Sequence, residues 1–302
     1  MAWQFDLTLG QPHTSHRSFS EHLLLKYAGH FQWQAISAAA GVPLSTLRTI
    51  RGDEVYPSFY YIEERIPESA PLESFRLDDA VRFVIALRSY KNVAMEGRLV
   101  FDRPEPLTDL RRVEAALAPG AADPELPFIR FANIFITPEK GNSRLRVAPP
   151  AQTDFGRLPL LPNEENPYHL TRAASESGSL GLLDEGWQEA GSYEHRYAID
   201  VDRDTNGVGL VYFANYVAFM DTAERLALDA VALRAPERSL RHRRIAYYGN
   251  VDVADTLVIR VTVLRNEAAP QLLGFRYAIV RLEDGERICL SEAVKAWPSA
   301  TW

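Results

Sequence analysis

The sequence predicts an α+β fold built twice over, and three observations carry the prediction. The chain has 302 residues, room for two units of roughly 100–200 residues each. One long amphipathic helix followed by several strand-like stretches occurs near the start and again after residue 186, the order expected of helices packed on antiparallel sheet. Between the two runs, segment 149–186 holds Pro149, Pro150, Pro159, Pro162 and Pro167 and then the small polar run AASESGSLG, a composition that punctuates rather than packs. A connection that long is uncommon inside one compact unit. The expected layout is therefore a first unit over 1–148, a surface connection over 149–186 and a second unit over 187–302. A sheet wrapped around a central helix, duplicated, is the simplest model.

In the first half, WQFDLTL places Trp3, Phe5, Leu7 and Leu9 on one face at period two, as a strand requires. FSEHLLLKYAGHFQWQAISAAAG follows, with Leu24, Tyr27, Ala28, Phe31 and Ala35 at helical spacing. Gly29 weakens its middle, Ser20 is placed to cap it, and Gly41 with Pro43 to stop it. EVYPSFYYIEERI reads as a strand, DAVRFVIALRSYKNVAMEGRLVF as a hairpin and PFIRFANIFIT as another strand. In the second half, SYEHRYAID alternates Tyr193, His195, Tyr197 and Ile199, and a polar turn leads to the helix YVAFMDTAERLALDAVAL. RHRRIAYYGNVDV, DTLVIRVTVLRNE, LLGFRYAIVRLED and RICLSEAVKAW then read as strands. The repeat is one of pattern, with little letter-for-letter identity.

Hydrophobic residues make up 46% of the chain and charged residues 24%, enough apolar material for a large core without covalent staples. The single cysteine, Cys289, excludes an internal disulfide and argues against secretion; in its alternating run it reads as a buried structural thiol. A net charge of −7 argues against a nucleic-acid surface, which needs a basic patch. It leaves room for CoA, whose phosphates need only a few local cations. The start, MAWQFDLTLGQPH, has neither the basic residues nor the apolar run of a signal peptide. No stretch approaches 18 consecutive apolar residues, so no membrane span is expected. The expected location is the cytoplasm.

Residues 204–225, DTNGVGLVYFANYVAFMDTAER, run from a polar turn through glycines and aromatics into an amphipathic helix. Residues 202–220 resemble the signature of hot-dog-fold acyl-CoA thioesterases, roughly D-T-D-x-x-G-x-V-Y-x-x-x-Y, at Asp204, Thr205, Gly209, Val211, Tyr212 and Tyr216. Asn206 stands where those enzymes carry a catalytic aspartate. A narrower resemblance is to the bifunctional acyltransferase/decarboxylases of the leinamycin-biosynthesis type, which are double hot-dogs. It rests on NGVGLVYFANY including the Asn, on YYGNVDVADTL at 247–257, and on VYPSFYY at 55–61. That resemblance implies loading of a methylmalonyl group from CoA, its decarboxylation, and delivery of propionyl to an acyl carrier protein in polyketide biosynthesis. It also implies an acylated tyrosine, which maps to Tyr56, with Tyr60 and Tyr61 close enough to leave the residue open. Acyl-CoA and an acyl carrier protein are the implied partners. No cofactor is implied beyond the CoA thioester that is the substrate, and monomer and homodimer remain equally open.

The residues themselves speak to this chemistry. Free N–H groups at a helix N-terminus stabilise developing negative charge on a thioester carbonyl. Gly207 and Gly209 allow the close approach this needs, and Gly207, Val208, Gly209 and Tyr212 form the expected substrate-binding stretch; the plainer reading is that the glycines only shape a turn. At Asn206 a carboxylate could attack the thioester or activate water. An amide does neither, yet donates N–H to a carbonyl or enolate oxygen. Decarboxylation of a malonyl-type thioester generates that enolate, so the amide suits it; a helix N-cap is the structural alternative. A phenol of ordinary pKa about 10 is almost wholly protonated at neutral pH, so Tyr56 needs a nearby cation or base, for which His16, Arg17 and Lys26 are candidates. Without the resemblance, Tyr56 reads as a strand aromatic. The seven histidines show no metal-ligand spacing, so no metal is expected. AGHFQW faintly resembles the His-bearing helix of hot-dog dehydratases, and RHRR at 241–244 reads either as a phosphate contact or as a solvated charge run. The rivals are an ordinary acyl-CoA thioesterase, against which Asn206 argues, a non-catalytic acyl-thioester-binding protein and, more distantly, a dehydratase.

Overall fold

The computed structural model describes residues 2–15, 18–120, 123–138, 145–151, 153, 155–207, 209–233 and 238–297. The chain divides into two compact units, Met1–Pro138 with Arg146–Pro167, and Tyr168–Trp302 with Glu139–Leu145.

The first unit contains β1 (Ala2–Thr8), α1 (Glu21–Ala40), β2 (Tyr56–Arg65), β3 (Ala80–Tyr90), β4 (Ala94–Asp102), α2 (Leu110–Leu117) and β5 (Phe128–Pro138). Its sheet runs β1-β3-β4-β5-β2, every neighbour antiparallel. The second unit contains α3 (Tyr168–Ser177), β6 (Trp187–Ala198), α4 (Val201–Asp204), α5 (Asn215–Ala230), β7 (Ser239–Tyr247), β8 (Thr256–Asn266), β9 (Leu272–Arg281) and β10 (Arg287–Ala296). Its sheet runs β6-β8-β9-β10-β7, again antiparallel throughout. Counted within each unit, both sheets have the order 1-3-4-5-2, so the repeat of pattern is a repeat of topology.

The expected helix ends are observed. Ser20 occupies the N-cap of α1, and Gly41, at φ 71°, closes it with an N–H to the carbonyls of Ser37 and Ala38. Leu24, Leu25, Ala28, Phe31, Ala35 and Ile36 form its buried face. The β3–β4 hairpin turns at Lys91 and Asn92, both with positive φ (48° and 55°), the twist that matches a tight antiparallel return. At Gly97 on β4 the missing side chain makes room for Gln32 of α1, whose amide donates to Asn133 on β5; a Cβ there would lie 1.8 Å from Gln32 Oε1.

Segment 149–186 is not the bare surface connection the prolines imply. Phe155 stacks on Phe135 at 5.5 Å, Leu161 is buried, and Arg88 reaches Glu165 at 2.7 Å, so its first part packs on the first unit. Its second part forms α3, where Ala174 packs with Leu180, Ala246 and Leu290 in the second unit. Helix α2, eight residues capped by Asp109 through the N–H groups of Arg111 and Arg112, is also absent from the sequence reading because two turns give too little periodicity. Cys289 is fully buried, and burial pushes its thiol pKa well up, as a structural thiol requires.

Candidate functional site

The connection from β6 to α5 is built by side chains that bond to backbone. Asp200 caps α4, its Oδ1 accepting from the N–H groups of Asp202 (3.1 Å) and Arg203 (3.3 Å). Asp204 is buried, and its Oδ2 accepts from the Tyr197 hydroxyl and the Asp200 N–H, both at 2.9 Å. Burial, then the Asp204 hydrogen bond, raises the Tyr197 pKa. Asn215, the first residue of α5, donates from Nδ2 to the carbonyls of Arg203 (3.3 Å) and Asp204 (2.9 Å), which ties the helix to the connection. Asn206 opens a tight turn. Its Oδ1 accepts from the Leu210 N–H at 3.1 Å, its N–H donates to the Leu210 carbonyl at 2.8 Å, and the Gly209 N–H donates to the Asn206 carbonyl at 2.9 Å. Gly209, at φ 79°, takes the left-handed conformation that the turn needs.

This geometry locates the expected site residues. Helix α5 starts at Asn215 with Ala214 at its cap, and Gly207 and Gly209 lie in the turn that precedes it, as the order of turn, glycines and helix in the sequence implies. The Gly209 N–H closes that turn on the Asn206 carbonyl. Asn206 caps no helix. Its Oδ1 helps to close the turn through Leu210. Val208 lies outside the described residues. Tyr212 is half-buried, its N–H on the Asp204 carbonyl at 2.8 Å, and burial pushes its phenol up to about 12. The buried carboxylate of the connection, Asp204, is committed to holding backbone and Tyr197.

On β2 the three candidate tyrosines have different surroundings. Tyr60 donates to Asn166 Oδ1 at 2.8 Å, and the register shift between Phe59 and Tyr61 turns it out of step with its neighbours. Tyr61 is packed in the core. The Tyr56 hydroxyl is buried and meets no hydrogen-bond partner among the described residues. Burial alone raises its pKa, so the resting phenol is protonated. Of the cations considered for its activation, His16 and Arg17 lie outside the described residues, and Lys26 is half-buried on α1. Tyr56 belongs to the first unit and Asn206 to the second.

No protein-family model and no curated protein sequence matches the chain. Solved structures do. A protein from Lactobacillus plantarum described as an oleoyl thioesterase superposes with a TM-score of 0.65 at 14% identity, covering 99% of this chain and 98% of its own. An acyl-ACP thioesterase from Bacteroides thetaiotaomicron gives 0.59 at 11% identity, covering 97% of each chain. A 12:0-ACP thioesterase from Umbellularia californica gives 0.57 at 10% identity, covering 98% of this chain and 97% of its own. The fold is a double hot-dog. At these identities the likeness extends to architecture, which the doubled 1-3-4-5-2 order wound on one long helix already displayed.

In its second unit the double hot-dog also buries charges that the sequence reading did not single out. Glu224 on α5 is fully buried against β9 and β10 and accepts from the Tyr277 hydroxyl, from Arg238 Nε at 2.5 Å and from Lys295 Nζ at 2.9 Å. Desolvation would raise its pKa, but Lys295 and Arg238 outweigh it and hold the carboxyl below its ordinary range. Lys295 also meets Asp221 at 3.0 Å, and the buried Arg243 guanidinium lies 5.6 Å above the Tyr277 ring. In the RHRR run Arg243 is core rather than solvated, and the half-buried Arg244 donates to the Leu180 carbonyl at 2.8 Å. His30 of AGHFQW is exposed on α1 beside Gln34. Apolar-to-charged contrast along α5, Met220 to Asp221 and Ala223 to Glu224, was the available signal for the network. A cavity of about 510 Å³ lies at the opposite end of β6 from Asn206, lined by Gln188, Glu189, Arg265 and Pro270. Among the described residues no cluster of His, Cys, Asp or Glu could hold a metal, and no helix is long and apolar enough to cross a membrane.

Proposed function

We propose that this double hot-dog chain is an acyl-thioester enzyme that takes a methylmalonyl-type group from CoA, decarboxylates it and delivers propionyl to an acyl carrier protein. The observation that carries the reading is the Tyr56 hydroxyl, a buried polar group without a partner among the described residues. Such a group costs stability unless a ligand completes it, and this one falls on the tyrosine that the resemblance marks as the acyl acceptor. In the proposed first step Tyr56 Oη attacks the thioester carbonyl, its proton passes to a base and CoA leaves as its thiol. Loss of the distal carboxylate as CO2 then gives an enolate that is protonated at carbon. The carrier thiol finally takes the propionyl group and restores the phenol. The amide of Asn206 is consistent in type with this chemistry, since it cannot activate water as a carboxylate can, and Asp204, the buried carboxylate of its connection, is committed to Tyr197 and the Asp200 N–H. No resident cofactor is needed.

Thioester hydrolysis is the second reading, favoured by the activities named for the three solved structures of like fold. Intact mass spectrometry of a holo-carrier protein incubated with methylmalonyl-CoA and the enzyme separates the two. A propionyl adduct supports transfer with decarboxylation, and free acid with an unmodified carrier supports hydrolysis. An unchanged mixture leaves only binding.

A further inference from the structure

The first unit has its own counterpart of the β6–α5 connection, the stretch joining β1 to α1, and it holds a hydrogen-bond chain that no motif announced. The Gly10 N–H donates to His13 Nδ1 at 2.7 Å. That nitrogen must present a lone pair, so a neutral imidazole carries its hydrogen on Nε2. His13 Nε2 stands 2.7 Å from Tyr27 Oη. The direction of this bond is therefore fixed: Nε2–H donates and the phenol oxygen accepts. The opposite direction would require an imidazole with no hydrogen at all. Tyr27 is left with its own hydroxyl hydrogen to donate, and among the described residues its oxygen has no partner besides His13.

The surroundings hold this arrangement in place. The His13 N–H bonds the Gly10 carbonyl at 2.9 Å and the His13 carbonyl accepts from Ser20 at 3.1 Å, which pins the residue from both sides. The imidazole meets the Tyr27 ring edge-on, centroids 4.8 Å apart at 82°. Both side chains are half-buried, and Tyr27 borders Phe31, itself stacked on Phe5 at 4.9 Å. A phenol hydrogen polarised from behind by an imidazole N–H, beside an apolar aromatic wall, suits an acceptor-only oxygen attached to an apolar chain.

We propose that Tyr27, oriented by His13, donates a hydrogen bond to the carbonyl oxygen of a bound acyl thioester. The inference rests on the acyl-thioester reading above and adds a donor in the first unit that the motif of the second does not supply. Tyr27 is the contacting residue and His13 the positioning residue.

Two CoA probes test it on the full chain by isothermal titration. One is the propionyl-CoA analogue in which NH replaces the thioester sulfur, which keeps the carbonyl and resists turnover. The other is S-propyl-CoA, which lacks the carbonyl. The parent is expected to prefer the carbonyl probe about tenfold, the size of one good hydrogen bond. Tyr27→Phe should bind both probes alike, at the parent's affinity for S-propyl-CoA. A parent without preference, or a Tyr27→Phe variant that keeps it, overturns the proposal and leaves the acyl-CoA reading standing. A parent that binds neither probe sinks both together. Nitrogen-15 NMR of the parent imidazole gives a readout independent of any variant: His13 should show a protonated Nε2 and a bare, hydrogen-bonded Nδ1, and the opposite tautomer overturns the assignment.

Discussion

Replacing Tyr56 by Phe removes one oxygen and keeps the ring, and its effects on stability and activity should have opposite signs. The hydroxyl is buried and unmet among the described residues, so its loss breaks no hydrogen bond. It relieves the penalty of an unsatisfied polar group, which is about 1–3 kcal/mol. Tyr56→Phe should therefore be more stable than the parent by up to that amount. At about 2–4 °C per kcal/mol for larger domains, the melting temperature should rise by roughly 2–12 °C. Self-acylation and propionyl transfer should meanwhile be abolished, because the proposed acyl acceptor is gone. Tyr60→Phe is the control. Its hydroxyl donates to Asn166 at 2.8 Å, so the variant should lose about 0.5–1.5 kcal/mol yet keep its acyl adduct. Scanning fluorimetry run beside peptide mapping of the enzyme after brief exposure to methylmalonyl-CoA reads both quantities. A Tyr56→Phe protein that melts below the parent would show that the hydroxyl is partnered. One that melts higher but transfers at the parental rate would refute its role as nucleophile.

Asn206→Asp keeps an oxygen for the Leu210 N–H, so the turn and the melting temperature should hold, whereas a new negative charge facing an enolate should slow decarboxylation by tenfold or more; a parental rate in a CO2-release assay would remove Asn206 from the chemistry. Glu224→Gln strips the charge that pairs with Lys295 and Arg238 and should cost about 3–5 kcal/mol by urea denaturation, while adding Lys295→Met should restore part of the loss. Because Glu224 is held below the ordinary carboxylate value of 4.5, its contribution is fully present above that pH and fades as the pH falls through the lowered value. The gap between parent and Glu224→Gln should therefore be constant from pH 5 to 7 and narrow in more acidic buffer, and a gap that widens there would contradict the assignment. Gly97→Ala drives a Cβ into Gln32 and should cost about 1–3 kcal/mol in chemical denaturation; an unchanged midpoint would mean that Gln32 can swing away from Asn133.

The strands and long helices were legible in the sequence because their signals are local. Alternation along WQFDLTL and SYEHRYAID, the Ser20 and Gly41 boundaries of α1, and the doubled order of elements all depend on neighbours a few residues apart. What Asn206 cannot do was equally legible, since an amide excludes general-base work whatever surrounds it. The partners were not. Tertiary structure alone paired Tyr60 with Asn166, 106 residues away, left the Tyr56 hydroxyl unmet among the described residues, and set Glu224 against Lys295, 71 residues away. It also packed the proline-rich segment by inserting Phe155 and Leu161 where composition indicated only turns. His13 shows the division most plainly: nothing in GQPHTS marks it, and its direction of hydrogen bonding follows only once Gly10 occupies one ring nitrogen and Tyr27 faces the other. Residue type and spacing determine what a side chain can do, whereas the partner that commits or spares each hydrogen is fixed only when distant strands and helices close on one another.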